Sequence, residues 1–335
     1  MSKINLALEL GSSNTSIYME GLGIVLREAS QIAFLEKVSE KSIIEAGSKV
    51  KKMLGKTSDK TIIVSPVQEG VVVDKTAAAA MLKEFLKRVI KSRFLMRIRA
   101  IVCVPCGLTK EQRLDYETVC LKAGISEVIL VESVLAAGLG IGLSLESSKG
   151  MALIDIGGGI TDIAVMSNCS IISGCSVFAG GNVMDAAIAD YIQKKYGLII
   201  GQTTAERLKI EIGSLYSNDL AEVKVSGMDQ RTQNPSYAIV TAKDIKEAIE
   251  PIYLKIASSA EAIINVCPPE IAADIYKNGI FLTGGAANIL GIEQFLGSRL
   301  KISVKVVTDA SYATILGAGK LLGDEQLLQN IFEQN

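Results

Sequence analysis

The apolar positions of this chain change period again and again. Residues 6–10 and 16–19 read as two apolar strands around the small-residue stretch Gly11-Ser12-Ser13-Asn14, with a third strand at 21–26. Mixed short strands and a helix at 49–54 fill 31–65, which ends in the apolar run 61–64, and a loop and strand follow at 66–74. An Ala- and Leu-rich amphipathic pattern predicts a helix at 76–91. A buried strand at 101–104 precedes a helix at 109–123, where Thr109 and Gln112 have capping-box spacing. A strand at 127–131 leads to a helix at 134–141 that Gly138 and Gly140 should loosen. A second strand pair occupies 153–165, then a strand 171–177. Helices follow at 182–196, 203–213, 242–266 and 269–276, then a strand 279–282 ending in Thr283-Gly284-Gly285. The pattern closes with a helix at 289–300, a strand at 304–307, and a helix at 310–322. In the tail, Leu327, Leu328, Ile331 and Phe332 stand among Gln and Glu, which suits a packing or partner face better than an anchor.

Mixed strands opening each half, followed by strand–helix–strand units, predict an α/β fold of two lobes, each a mixed sheet flanked by helices, with a cleft between them. Lobe I is expected over 1–145, with an insertion at about 31–70. Lobe II is expected over 146–322, with a subdomain at about 182–241, and a tail helix over 323–335.

The two strand pairs are one motif written twice. ALELGSSNTSIYM at 7–19 and LIDIGGGITDIAV at 153–165 align with an offset of 146. Glu9 then meets Asp155, Gly11 meets Gly157, and Thr15 meets Thr161. Each copy reads as strand, tight turn, strand, with an acid near the end of the first strand. Small residues let a turn bring its backbone N–H groups close to an anion. Paired carboxylates suit a divalent cation. Two such hairpins face to face make a clamp for a nucleoside triphosphate with Mg²⁺.

Composition narrows the chemistry further. The chain has no His, which removes His general bases, His-activated nucleophiles and His-ligated metals. A net charge of −1 gives no global pull toward nucleic acid, and the absence of Trp argues against base-stacking platforms. The hydrophobic share is 49%, yet the nearest approach to a spanning segment, 128–143, is broken by Glu132 and glycines. The opening MSKINLALEL lacks the apolar core of a signal peptide, so a cytoplasmic protein is expected. Cys103-Val104-Pro105-Cys106 has redox spacing, but it ends an apolar run and no second pair completes a metal site; it reads as buried small residues.

Six segments in order together resemble the bacterial actin MreB family, within the superfamily of actin, sugar kinases and the Hsp70 ATPase. They are 10–30, 102–113, 153–167, 179–188, 200–213 and 268–296. The resemblance implies that Gly11, Ser12, Ser13 and Asn14 form one phosphate loop and Gly157, Gly158 and Gly159 the other. It implies that Glu9 and Asp155 hold Mg²⁺, and that Gly180 and Gly181 bring a helix N-terminus to the phosphates. Glu206 and Lys209 would reach ribose and base, and Gly284, Gly285 and Ala286 would pack against adenine. It further implies an ATP-binding protein that polymerises head to tail with itself, in paired filaments, on the inner membrane face. There it would meet membrane lipids and cell-wall elongation or shape proteins, and guide rod shape.

Three departures bear on hydrolysis. Glu9 stands where the family has Asp. In Val131-Glu132-Ser133-Val134, Ser133 stands where the family has the acid that positions the attacking water, so hydrolysis is expected to be slow. The alternative is that Glu132 or Ser133 serves through an altered water path, with a rearranged loop bringing Glu132 into the role. Ile160 replaces a Thr, leaving Thr161 to hold the water. At 91–99, Phe94, Leu95 and Met96 lie between basic residues. The family uses this loop to dip into the membrane, while the plainer reading is a charged edge leading into the strand at 101. A chaperone or reactivase of the Hsp70 kind remains the alternative function; pelleting with and without ATP separates the two.

Overall fold

A computed structural model describes residues 3–36, 41–57, 60–91 and 96–334. In it the sequence duplication is a duplication of topology. Strand Lys3–Leu10 turns back as Asn14–Met19, which pairs in turn with Gly23–Ala29. On its other side Arg97–Val104 and then Glu127–Glu132 add in parallel. The second sheet repeats this order. Met151–Ile156, Thr161–Ser167 and Ser170–Val177 form the antiparallel meander, and Ile280–Thr283 and Val304–Val306 extend it in parallel. Register agrees as well: Glu9 faces Ser16 and Leu10 faces Thr15, while Asp155 faces Asp162 and Ile156 faces Thr161.

Local chemistry sets the helix boundaries around these sheets. Helix Lys75–Val89 starts where the Asp74 carboxylate accepts from the N–H groups of Thr76 and Ala77. Helix Lys110–Ala123 starts with the capping box of Thr109 and Gln112 and ends at Gly124, whose φ of 101° is left-handed. A small sheet of Lys41–Ala46, Ile32–Glu36 and Thr61–Val64 carries helix Ser48–Met53 above lobe I. A second small sheet, Leu198–Ile199, Glu222–Asp229 and Pro235–Thr241, sits on lobe II. Its hairpin was not among the sequence expectations: Tyr237 and Ile239 face solvent, which blurs the alternation.

Each sheet has its own apolar core, and a third core joins the lobes. Helices Ser133–Gly140 and Ala313–Leu321 cross within it. A Cβ on Gly317 would overlap the Ala136 carbonyl oxygen, and one on Gly140 that of Ala313. Gly140 therefore does not loosen its helix, as its sequence suggested; it lets two backbones touch. Tail helix Glu325–Gln334 buries Leu327, Leu328 and Ile331 in the same core, and Arg99 ties it down through Glu325. Cys103 and Cys106 are buried free thiols. Phe94 and Leu95 fall outside the described residues, and Met96 is half-buried beside strand Arg97–Val104. Among the described residues no helix is long and apolar enough to cross a membrane.

Candidate functional site

The two hairpin turns meet across a cavity of about 360 Å³ between the lobes. The same hydrogen bond closes each turn: Gly11 N–H donates to the Asn14 carbonyl at 3.1 Å, and Gly157 N–H to that of Ile160 at 2.9 Å. Ser13 faces Gly158 and Ser12 faces Gly159 so closely that a Cβ on either glycine would overlap the serine side chain. Small residues here are a packing requirement between lobes. The Ser13 hydroxyl also donates to Asn182 Oδ1 at 2.9 Å, and Ser12 Oγ accepts from Gly70 N–H at 3.1 Å.

Behind the turns stand the carboxylates. Burial pushes Glu9 up to about 7 and the Asp155 charge adds to it, while Arg27 and a hydrogen bond from Ser16 pull it down. Burial also raises Asp155, against a bond from Thr314 Oγ1 at 3.2 Å. Two buried acids that repel one another across a cavity are a donor set that a hard divalent cation relieves. The Arg27 side chain crosses from the other edge. It donates to the Ser311 carbonyl at 3.0 Å and lies 4.3 Å from the Tyr312 ring centre.

Most of the residues singled out from sequence gather at this cavity. Glu9, Gly11, Ser12, Ser13, Asn14 and Ser133 line it from lobe I. Asp155, Gly157, Gly158, Gly159 and Gly181 line it from lobe II, with Glu206, Lys209, Gly284, Gly285 and Ala286 at the far end. Glu206 and Lys209 are nevertheless engaged by the protein itself. Lys51 of the lobe I insertion pairs with Glu206 at 2.6 Å across the cleft mouth. Lys209 pairs with Asp185 at 2.6 Å and donates to the Gly181 carbonyl at 2.9 Å.

Three residues do not line the cavity. Glu132 is turned away by an ion pair with Arg113, so a water-positioning role for it does not fit this geometry. Thr161, expected to hold a water, is fully buried behind the cavity wall and donates its hydroxyl to the Ala179 carbonyl. Gly180 lies against Gly158, and the first helical N–H groups, of Gly181 and Asn182, donate to the carbonyls of Gly157 (3.0 Å) and Gly158 (2.8 Å). The helix N-terminus thus holds the second turn in place, with its dipole still directed there.

Sequence reading missed Arg27, Lys51, Asp185 and Asp162. Asp162 is the one that left a trace. The offset of 146 places it on Ser16, so an acid in the second copy stands where the first has a hydroxyl. Burial pushes its carboxyl up to about 7; a Ser176 hydrogen bond opposes this and the Asp155 charge adds to it.

Comparison with known proteins agrees with this architecture. The family model described as MreB/Mbl protein matches residues 3–330. The cell shape-determining protein MreB of Escherichia coli (strain K12) is 36% identical over 322 residues, covering 95% of this chain and 93% of that protein. The cell shape-determining protein Mbl of Bacillus subtilis (strain 168) is 31% identical over 319 residues, 95% of each. The crystal structure of MreB5 of Spiroplasma citri bound to ADP superposes with a TM-score of 0.90 at 31% identity, covering 98% of both chains. A MamK double helical filament, at 19% identity, covers 96% of this chain and 99% of that one and shares the fold with a TM-score of 0.82. This chain has the two-lobed actin-like fold and belongs to the MreB/Mbl family of bacterial actins.

Proposed function

We propose that this protein is an ATP-binding bacterial actin homologue that assembles head to tail into filaments on the inner face of the cell membrane and guides cell-wall synthesis and rod shape. The observation that carries the reading is the meeting of the duplicated turns, Ser12 and Ser13 against Gly159 and Gly158, in front of Glu9 and Asp155. In support, MreB5 of Spiroplasma citri has been crystallised with ADP and with AMPPNP. The MreB and Mbl relatives carry shape-determining names, and MamK forms a double helical filament.

In this reading both turns cradle the phosphates, and occupancy sets how lobe I closes on lobe II. Glu9 and Asp155 would be the protein ligands of Mg²⁺, which when bound neutralises phosphate charge. Among the described residues no three His, Cys, Asp or Glu side chains form a metal cage. Ser133 on the cavity wall, with Glu132 tied to Arg113, supports slow hydrolysis. Phe94, Leu95 and Met96 are proposed as the membrane contact, and cell-wall elongation proteins as partners.

Calorimetric titration with ATP and Mg²⁺, followed by pelleting with and without ATP, tests the proposal. Binding at a single site and ATP-dependent sedimentation are expected. A cleft that takes up no heat at saturating ATP would overturn it.

A further inference from the structure

Five acids line the cavity, and four have an evident assignment. Glu9 and Asp155 form the cation pair. Asp185 is neutralised by Lys209 and Glu206 by Lys51. Asp162 is the remainder: among the described residues no lysine or arginine pairs with it. Its place is nonetheless built. Cys106 N–H donates to its Oδ1 at 3.2 Å, and the Ser176 hydroxyl meets the same oxygen. Its side chain shares the cavity wall with Ser133, Ile160, Pro105 and Tyr116. The register-matched position in lobe I holds Ser16, so one half of the duplication has a carboxylate that the other lacks.

We infer that Asp162 orients the attacking water in ATP hydrolysis, in the place that Ser133, Glu132 and Thr161 leave vacant. The inference rests on the ATP-binding reading of this cavity. With Oδ1 fixed by Cys106 and Ser176, the second carboxylate oxygen is the acceptor available to a water beside Ser133. That water's oxygen bonds to the γ-phosphorus as the bond from phosphorus to the β–γ bridging oxygen breaks. ADP leaves with the electron pair, and the water's proton ends on the released phosphate. Asp162 holds the nucleophile by accepting a hydrogen bond and need not keep the proton.

Asp162→Asn is the discriminating variant. Its amide oxygen can still accept from Cys106 and Ser176, while its NH₂ donates toward the cavity where an acceptor is needed. Single-turnover phosphate release and ATP affinity are measured side by side on the full chain. The expected result is at least a roughly tenfold slower hydrolysis step with ATP affinity within about threefold of the parent. Adding Ser133→Glu to Asp162→Asn supplies an acceptor from the opposite wall and is expected to restore the rate. Unchanged hydrolysis in Asp162→Asn, or a fall matched by lost affinity, overturns the role, as does a parent protein that binds ATP without hydrolysing it. A parent that fails to bind ATP in calorimetry overturns the reading of the site itself. Asp162→Ser, which copies lobe I, serves if the Asn variant does not fold, with the same outcomes.

Discussion

Removing the charge of Glu9 should stabilise the ligand-free protein while weakening the proposed Mg²⁺ site. In the folded chain this carboxyl has been pushed up to about 7, against 4.5 when unfolded. The folded state therefore keeps a proton between these values that the unfolded state has released. Stability from this group is fully present below pH 4.5 and is lost as pH rises through 7. At about 1.4 kcal/mol per pH unit, the loss reaches roughly 3 kcal/mol by pH 8. Glu9→Gln never carries the charge, so it avoids that loss. Urea unfolding of ligand-free protein should place the variant above the parent by up to about 3 kcal/mol at pH 8, and by under about 1 kcal/mol at pH 5. In calorimetry the same variant should lose most of the Mg²⁺-dependent part of ATP affinity. A stability difference that stays constant from pH 5 to 8, or a variant less stable than its parent at pH 8, would refute the argument that buried repulsion is held in this site for a cation to relieve.

Lys51→Ala removes the ion pair across the cleft mouth; its partners' side chains are 39% and 30% exposed, so about 0.5–1 kcal/mol is at stake. ATP dissociation followed by stopped flow should quicken by about two- to fivefold, and 1 M salt should bring the parent toward the variant. Gly317→Ala forces a methyl group into the Ala136 carbonyl at the helix crossing, so thermal unfolding should show a destabilisation of about 3 kcal/mol or more. The double variant Phe94→Ser, Leu95→Ser should lose co-sedimentation with anionic liposomes while keeping ATP binding; undiminished sedimentation removes the proposed membrane contact.

What could be read from the chain follows a physical division. The paired turns were legible because a close backbone approach demands small residues, and a demand made twice appears as a repeat. The Thr109–Gln112 cap was legible because its chemistry is complete within four residues. Contacts between segments remote in sequence were not. Gly140 looked like a weak point in its helix until Gly317, far along the chain, was found packed against the same crossing. Thr161 looked free to hold a water, but it is fully buried and its hydroxyl donates to the Ala179 carbonyl. Glu132 and Glu206 looked available, yet Arg113 and Lys51 reach them from other elements. A single sequence names the groups able to do chemistry, whereas the fold decides which of them its own partners have already engaged. In this cleft that distinction moves attention from Glu132 and Thr161, which the motif suggested, to Asp162, which lines the cavity and pairs with no lysine or arginine among the described residues.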